Sequence, residues 1–206
     1  MEEDKKIMTW DFKKELARKA VHLLSIFFII IFVVVSKSYG TKLALLALVL
    51  LLVFLMEIDY VRVELGKKIP FISRFFRRKE RNKHGGQVFF LIGAIISLAA
   101  FDFRIAISAL LMTTFGDMAA ALIGKRFGKT WITKDRAIEG ILAEFMVDVI
   151  LGYIILGNWI VLLVMAITAT IVETAISKLD DNLMIPLFSG FNGQMAVYIL
   201  GYLAGF

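Results

Sequence analysis

A single carboxylate, Asp117, stands inside the otherwise apolar run Thr113 to Gly124, and five cations follow it within residues 125–136: Lys125, Arg126, Lys129, Lys134 and Arg136. A second apolar run then opens with Glu139-Gly140. A third carries Glu173 near its end, followed by the acidic group Asp180-Asp181-Asn182. An acid inside a membrane-type segment costs about 2.5–3.5 kcal/mol on insertion scales. Several of them are most economically explained if they converge on one cation. With no Cys and only two His in the chain, carboxylate ligands favour a hard, oxygen-preferring ion such as Mg²⁺, which commonly keeps waters and binds substrate phosphates. Lys129, Lys134 and Arg136 would face it as phosphate grips. Asp117, Glu173 and the 180–182 turn, together with these cations, therefore read as a nucleotide-triphosphate site. Phosphoryl transfer asks a protein mainly for such positioning and charge compensation.

The elements that must carry these groups are membrane helices. Of the 206 residues, 59% are hydrophobic and the mean hydropathy is +0.80, more apolar material than a soluble domain of this length can cover. The fold class expected is all-α, a polytopic transmembrane helical bundle forming one domain over residues 1–206. Its spans fall at about 20–36, 39–58, 85–101, 105–123, 137–156, 159–176 and 183–206, seven in all. Residues 1–19 read as a cytosolic amphipathic helix rather than a cleavable signal, since no small-residue cleavage site follows the apolar run. Residues 59–87 read as a basic loop. Within it, Pro70, Phe71, Phe75 and Phe76 alternate with Arg74, Arg77 and Arg78, a pattern that suits either a helix in the headgroup layer or a solvated face. Residues 125–136 read as a phosphate-binding loop. All 24 Lys and Arg except Lys37, Lys42 and Arg104 lie on one set of alternate connections, which places the N-terminus and these loops in the cytosol. Positive flanks explain the net charge of +6 without a nucleic-acid partner.

Each feature also has a plainer explanation. Gly116, Ala120 and Gly124 at four-residue spacing suit close helix packing. Lys125 and Arg126 suit ordinary membrane-boundary anchors, and His22 a local cap. The run Gly124-Lys-Arg-Phe-Gly128 lacks the G-K-[ST] of a P-loop. Asp148, deep in the fifth span, suits a structural hydrogen bond. Pro186, Asn192 and Gln194 in the last span would suit the broken helix of a small transporter.

Taken together, Glu15-x-x-Arg18-Lys19-x-x-His22, Arg77-x-x-Glu80, Gly116-Asp117-x-x-Ala-x-x-x-Gly124-x-x-x-Gly128-Lys129, Glu139-Gly140, Glu173-Thr174 and Asp181-Asn182 through Pro186 resemble the CTP-dependent polyprenol kinase family. That family includes dolichol, phytol and farnesol kinases and a CTP-dependent diacylglycerol kinase. The resemblance implies a membrane enzyme that moves the γ-phosphate of CTP onto a long-chain isoprenoid alcohol at the cytosolic face. It implies Mg²⁺ at Asp117 and Glu173, with Asp181, and phosphates held by Lys129, Lys134 and Arg136 beside Gly124 and Gly128. Arg18, Lys19, His22, Glu80 and Asn182 would complete the pocket, and Glu139 or Asp117 would accept the alcohol's proton. The family's Lys-Thr or Lys-Ser before Glu-Gly is Arg136-Ala137 here, which leaves open whether Lys134 or Arg136 is the main phosphate ligand. The middle of the chain is also similar to membrane phosphatidate cytidylyltransferases. Their C-terminal G-H-G-G-x-x-D-R-x-D is absent, so a CDP-lipid synthase is the alternative. The sequence leaves the lipid alcohol and the oligomeric state open.

Overall fold

The protein was examined as a computed structural model, which describes residues 23–64, 85–133, 136–175 and 179–203. The expected N-terminal helix, the interfacial segment, and Arg18, Lys19, His22, Glu80 and Lys134 lie outside the described residues.

Among the described residues the chain is helical: α1 (Leu24–Tyr39), α2 (Thr41–Val63), α3 (Gly86–Ala100), α4 (Phe103–Phe127), α5 (Ile138–Leu156), α6 (Trp159–Ala175) and α7 (Asp181–Leu203). Three of them, α2, α4 and α7, are long and apolar enough to cross a membrane, and α1, α3 and α6 are shorter apolar helices. The α1–α2 break falls at Gly40 (φ 91°) and the α5–α6 break at Gly157 (φ 68°), conformations that a residue with a Cβ adopts only at a cost. Asn158 then caps α6, its Oδ1 accepting the N–H groups of Ile160 (3.0 Å) and Val161 (3.2 Å).

Several boundaries differ from the sequence expectation. Helix α2 runs on to Val63, because Asp59 and Arg62 pair with each other on one of its faces rather than opening a solvated loop. Helix α4 starts at Phe103 and ends at Phe127, so Lys125 and Arg126 sit in its last turn, where cations complement the helix dipole, and not in a loop. Helix α7 begins at Asp181, two residues earlier than the hydropathy suggested, and passes through Pro186 without interruption. Its polar groups are tied down. Gln194 accepts the Asp102 N–H (2.8 Å) and donates to Asp102 Oδ2 (2.9 Å), and Asn192 donates to the Thr168 hydroxyl (3.1 Å). A continuous, internally bonded α7 is not the broken helix that a transporter site requires.

Two apolar clusters hold the bundle. Phe32, Leu48, Phe90, Leu91 and Leu110 join α1, α2, α3 and the start of α4. Ile105, Met112, Met165, Ala169 and Ile185 join α4, α6 and α7. Helices α4 and α5 meet differently, along a seam of small residues. A Cβ added to Gly140 would lie 2.6 Å from the Ala120 carbonyl oxygen and 3.0 Å from the Gly124 Cα. These are backbone atoms that cannot rotate aside, so Gly140→Val must push α5 away from α4. Overpacking of this kind costs about 1–3 kcal/mol. We expect a lower Tm for the purified variant, with Gly201→Val, where an added Cβ meets nothing within 4 Å, close to wild type.

Candidate active site

Midway along α4 the helix widens into a π-turn over Met112–Gly116. Thr113 and Thr114 donate their hydroxyls back to the carbonyls of Ala109 (2.8 Å) and Leu110 (3.0 Å), a habit that loosens the regular ladder. Such turns shift the phase of everything after them and recur at functional sites. The first residue after this one is Asp117, which returns to α-helix.

Asp117 from α4, Glu173 from the end of α6 and Asp181 from the first turn of α7 converge. One carboxylate oxygen from each lies within 4.8 Å of the others. Glu173 is 2% exposed, whereas Asp117 and Asp181 are half-buried. Three carboxylates without His or Cys suit a hard, oxygen-preferring cation.

Between α4 and α5, the described residues up to 133 and from 136 pair as the two arms of a hairpin. Trp131 and Ala137 form an isolated bridge, Ile132 N–H donates to the Arg136 carbonyl (2.9 Å), and Ile138 N–H donates to that of Thr130 (2.9 Å). This fold-back gives its cations different fates. Lys129, on the outgoing arm, is exposed. Arg136, on the returning arm, turns inward: its Nη1 donates to Glu173 Oε1, and its Nη2 lies 3.8 Å from Asp181 Oδ2. Burial works against the guanidinium charge, yet the attraction of Glu173, their hydrogen bond, and the charges of Asp181 and Glu144 outweigh it, and its pKa is raised.

Glu139 is turned away from this group. Its carboxylate accepts the Thr130 N–H at 3.4 and 3.5 Å and so braces the hairpin. Of the two expected proton acceptors, only Asp117 belongs to the convergent carboxylates. Gly124 packs against the Gly140 backbone, which is the helix-packing role its spacing also allowed. Gly128 ends α4 in an extended conformation (ψ 120°) where the hairpin begins. Asn182 organises the α7 terminus. Its backbone N–H donates to Asp180 Oδ1 (3.1 Å) and Asp181 Oδ1 (3.0 Å), and its Nδ2 donates to Asp180 Oδ1 (2.8 Å). Burial first, and the adjoining Asp181 charge second, push the Asp180 carboxyl up to about 6, against these Asn182 hydrogen bonds.

Two further acids extend the group into the bundle. Glu144 and Asp148 are fully buried on the α5 face that also carries Gly140 and Gly152. Asp148 does not make the structural hydrogen bond expected of it: both its oxygens are buried without a partner, as are Glu144 Oε2 and Glu173 Oε2. The cause is the glycine seam. Asp148 lies against Gly116, where an added Cβ would come to 2.5 Å from its Oδ1, so it faces the π-turn rather than a donor. Glu144 is within Coulombic reach of Glu173, Asp148, Asp117 and Arg136. Its spacing from Gly140 and Asp148, four residues each way, is the signal that puts it on the packed face.

No family profile matches the chain, and no solved structure matches it. Individual proteins do. CTP-dependent diacylglycerol kinase 1 of Schizosaccharomyces pombe is 27% identical over 211 residues, covering 87% of this chain and 92% of that protein. An uncharacterized protein of Rickettsia prowazekii is 28% identical over 207 residues, covering 93% of this chain and 99% of its own. CTP-dependent diacylglycerol kinase 1 of Saccharomyces cerevisiae is 25% identical over 158 residues, covering 72% of this chain and 52% of that protein. Similarity at 25–27% identity to two proteins named CTP-dependent diacylglycerol kinase, over 72–87% of this chain, supports the CTP-dependent lipid kinase family.

Proposed function

We propose that this protein transfers the γ-phosphate of CTP to the free hydroxyl of a membrane lipid, at a bundle end that faces the cytosol. The observation that carries the reading is the convergence of Asp117, Glu173 and Asp181 beside a hairpin that supplies Arg136 and Lys129. The donor set fits Mg²⁺, which when bound would supply positive charge against the transferring phosphate. The three carboxylates would hold it. Arg136, already oriented by Glu173 and Asp181, would present its planar fork to the triphosphate. Lys129, with Lys134, would bring point charges to it. The lipid oxygen attacks the γ-phosphorus, the bond from that phosphorus to its bridging oxygen breaks, and CDP leaves. The hydroxyl proton passes to Asp117 or to water, and a loose transition state asks little of the base. The bundle, read as seven spans, would keep the lipid's apolar part in the bilayer while its hydroxyl meets the nucleotide at the surface.

Two acceptor classes suit this geometry. The long-chain isoprenoid alcohol follows from the motif resemblance. Diacylglycerol follows from the similarity to the yeast diacylglycerol kinases. Purified protein with Mg²⁺, CTP labelled at the γ or α position, and geranylgeraniol, dolichol, diacylglycerol or, for the cytidylyltransferase, phosphatidate separates the readings. We expect γ-label in a lipid monophosphate, with the preferred acceptor giving the higher kcat/KM. Label from the α position in lipid would instead establish the cytidylyltransferase alternative.

A further inference from the structure

The α7 terminus that carries Asp181 is not held by α7 alone. At the end of α2, Asp59 is 4% exposed. Its Oδ1 takes Arg62 Nε (3.1 Å) and Nη2 (2.8 Å). Its Oδ2 accepts the backbone N–H of Gly85 at 2.6 Å, across 26 positions of sequence. Gly85 is the N-cap of α3, so the carboxylate sits where a helix N-terminus favours negative charge. The next residue, Gly86, lies against Asn182: a Cβ there would come within 2.9 Å of Asn182 Nδ2. Gly93, two turns further along α3, lies against Pro186 and the Asn182 carbonyl, at 2.9 and 3.0 Å by the same measure. Asn182 in turn bonds Asp180 and Asp181, and the second oxygen of Asp181 faces Arg136. An unbroken line of contacts thus runs from Asp59 through Gly85-Gly86 and Asn182 to Asp181. No member of it before Asp181 belongs to the convergent carboxylates.

We infer that Asp59 is a positioning residue for the divalent-cation site, acting through the height at which it pins the α3 N-terminus beneath Asn182. A buried carboxylate that takes donors from Arg62 and from the Gly85 backbone costs more to desolvate than a neutral cap would, so a plain stabilising role is a poor reason for it. The wide spacing of its partners suits registration of α2, α3 and α7 at one level. The inference rests on the cation reading of Asp117, Glu173 and Asp181, and its test does not use catalysis.

The experiment is Mn²⁺ binding, read by EPR on purified protein in lipid nanodiscs without nucleotide, with Tm measured in parallel. Outer partners of metal ligands typically change affinity 10–100-fold. Asp59→Asn keeps the shape and loses the charge, and should weaken Mn²⁺ binding about tenfold. Gly86→Ala, which presses on Asn182 from the α3 side, should shift affinity in the same direction and gives a second measurement should Asp59→Asn fold poorly. The control is Gln194→Ala. It breaks comparable bonds to Asp102 at the other end of the bundle, about 20 Å away along α4, and should lower Tm without moving Mn²⁺ affinity. Unchanged Mn²⁺ affinity in both Asp59→Asn and Gly86→Ala would overturn the inference. So would a Gln194→Ala shift as large as theirs, which would reduce the effect to general loosening. Wild-type protein that binds no Mn²⁺ would overturn the cation reading and this inference with it.

Discussion

Asp117→Asn should lower CTP-dependent lipid phosphorylation by about 10³-fold, the scale on which removal of one preorganised electrostatic group acts in an enclosed site. The substitution keeps the side chain's volume and its place after the π-turn, so the bundle should stay folded and monodisperse. What changes is one of the three oxygens that lie within 4.8 Å of one another. An amide oxygen is a weaker ligand for a hard cation and an inadequate counter-charge for it. Mn²⁺ binding should therefore fall together with turnover, and raising Mg²⁺ should recover part of the activity. Full turnover in Asp117→Asn would remove the metal assignment. Loss of turnover with intact Mn²⁺ binding would move Asp117 from holding the ion to accepting the lipid's proton.

The second large effect is predicted at Arg136. Among the described residues its guanidinium is the cation that reaches into the acidic group, bonding Glu173 and facing Asp181. Removing one partner of a buried pair strands the other, at about 3–5 kcal/mol. Arg136→Ala should accordingly lose both stability, as a lower Tm, and CTP affinity, as a raised KM. Arg136→Lys should recover part of the stability but little of the affinity, because a point charge does not reproduce the fork. A double-variant cycle separates the two roles. In Arg136→Ala with Glu173→Gln the stranded charge is gone, so Tm should return toward wild type while activity stays low. A Tm as low as that of Arg136→Ala alone would mean that the guanidinium stabilises the fold by contacts other than Glu173.

Much of this protein is legible in residue order alone. The apolar runs and the turns between them, such as 102–104 and Gly157-Asn158, anticipate the seven helices found among the described residues, since hydropathy and turn chemistry are local properties. The rarity of acids in such runs singled out Asp117 and Glu173 before any geometry, because a charge there needs a reason, and the acidic turn at 180–182 supplied Asp181. The motif spacing pointed to the lipid kinase family. The direction of each side chain is another matter. The π-turn at Met112–Gly116 resets the phase of α4, so ideal helical spacing counted from Phe103 aims Asp117 wrongly. The hairpin decides that Arg136 enters the site while Glu139 leaves it, although they stand three residues apart. Asp148 has no hydrogen bond because Gly116 lets α5 come too close for a donor to intervene. Asp59 reads as the start of a basic loop until Gly85, 26 positions away, closes on it. Composition and spacing determined which residues carry the charge and how many helices carry the residues. Only tertiary structure decided which charges meet, because facing is set by the relative rotation and depth of packed helices, which no local stretch of sequence encodes.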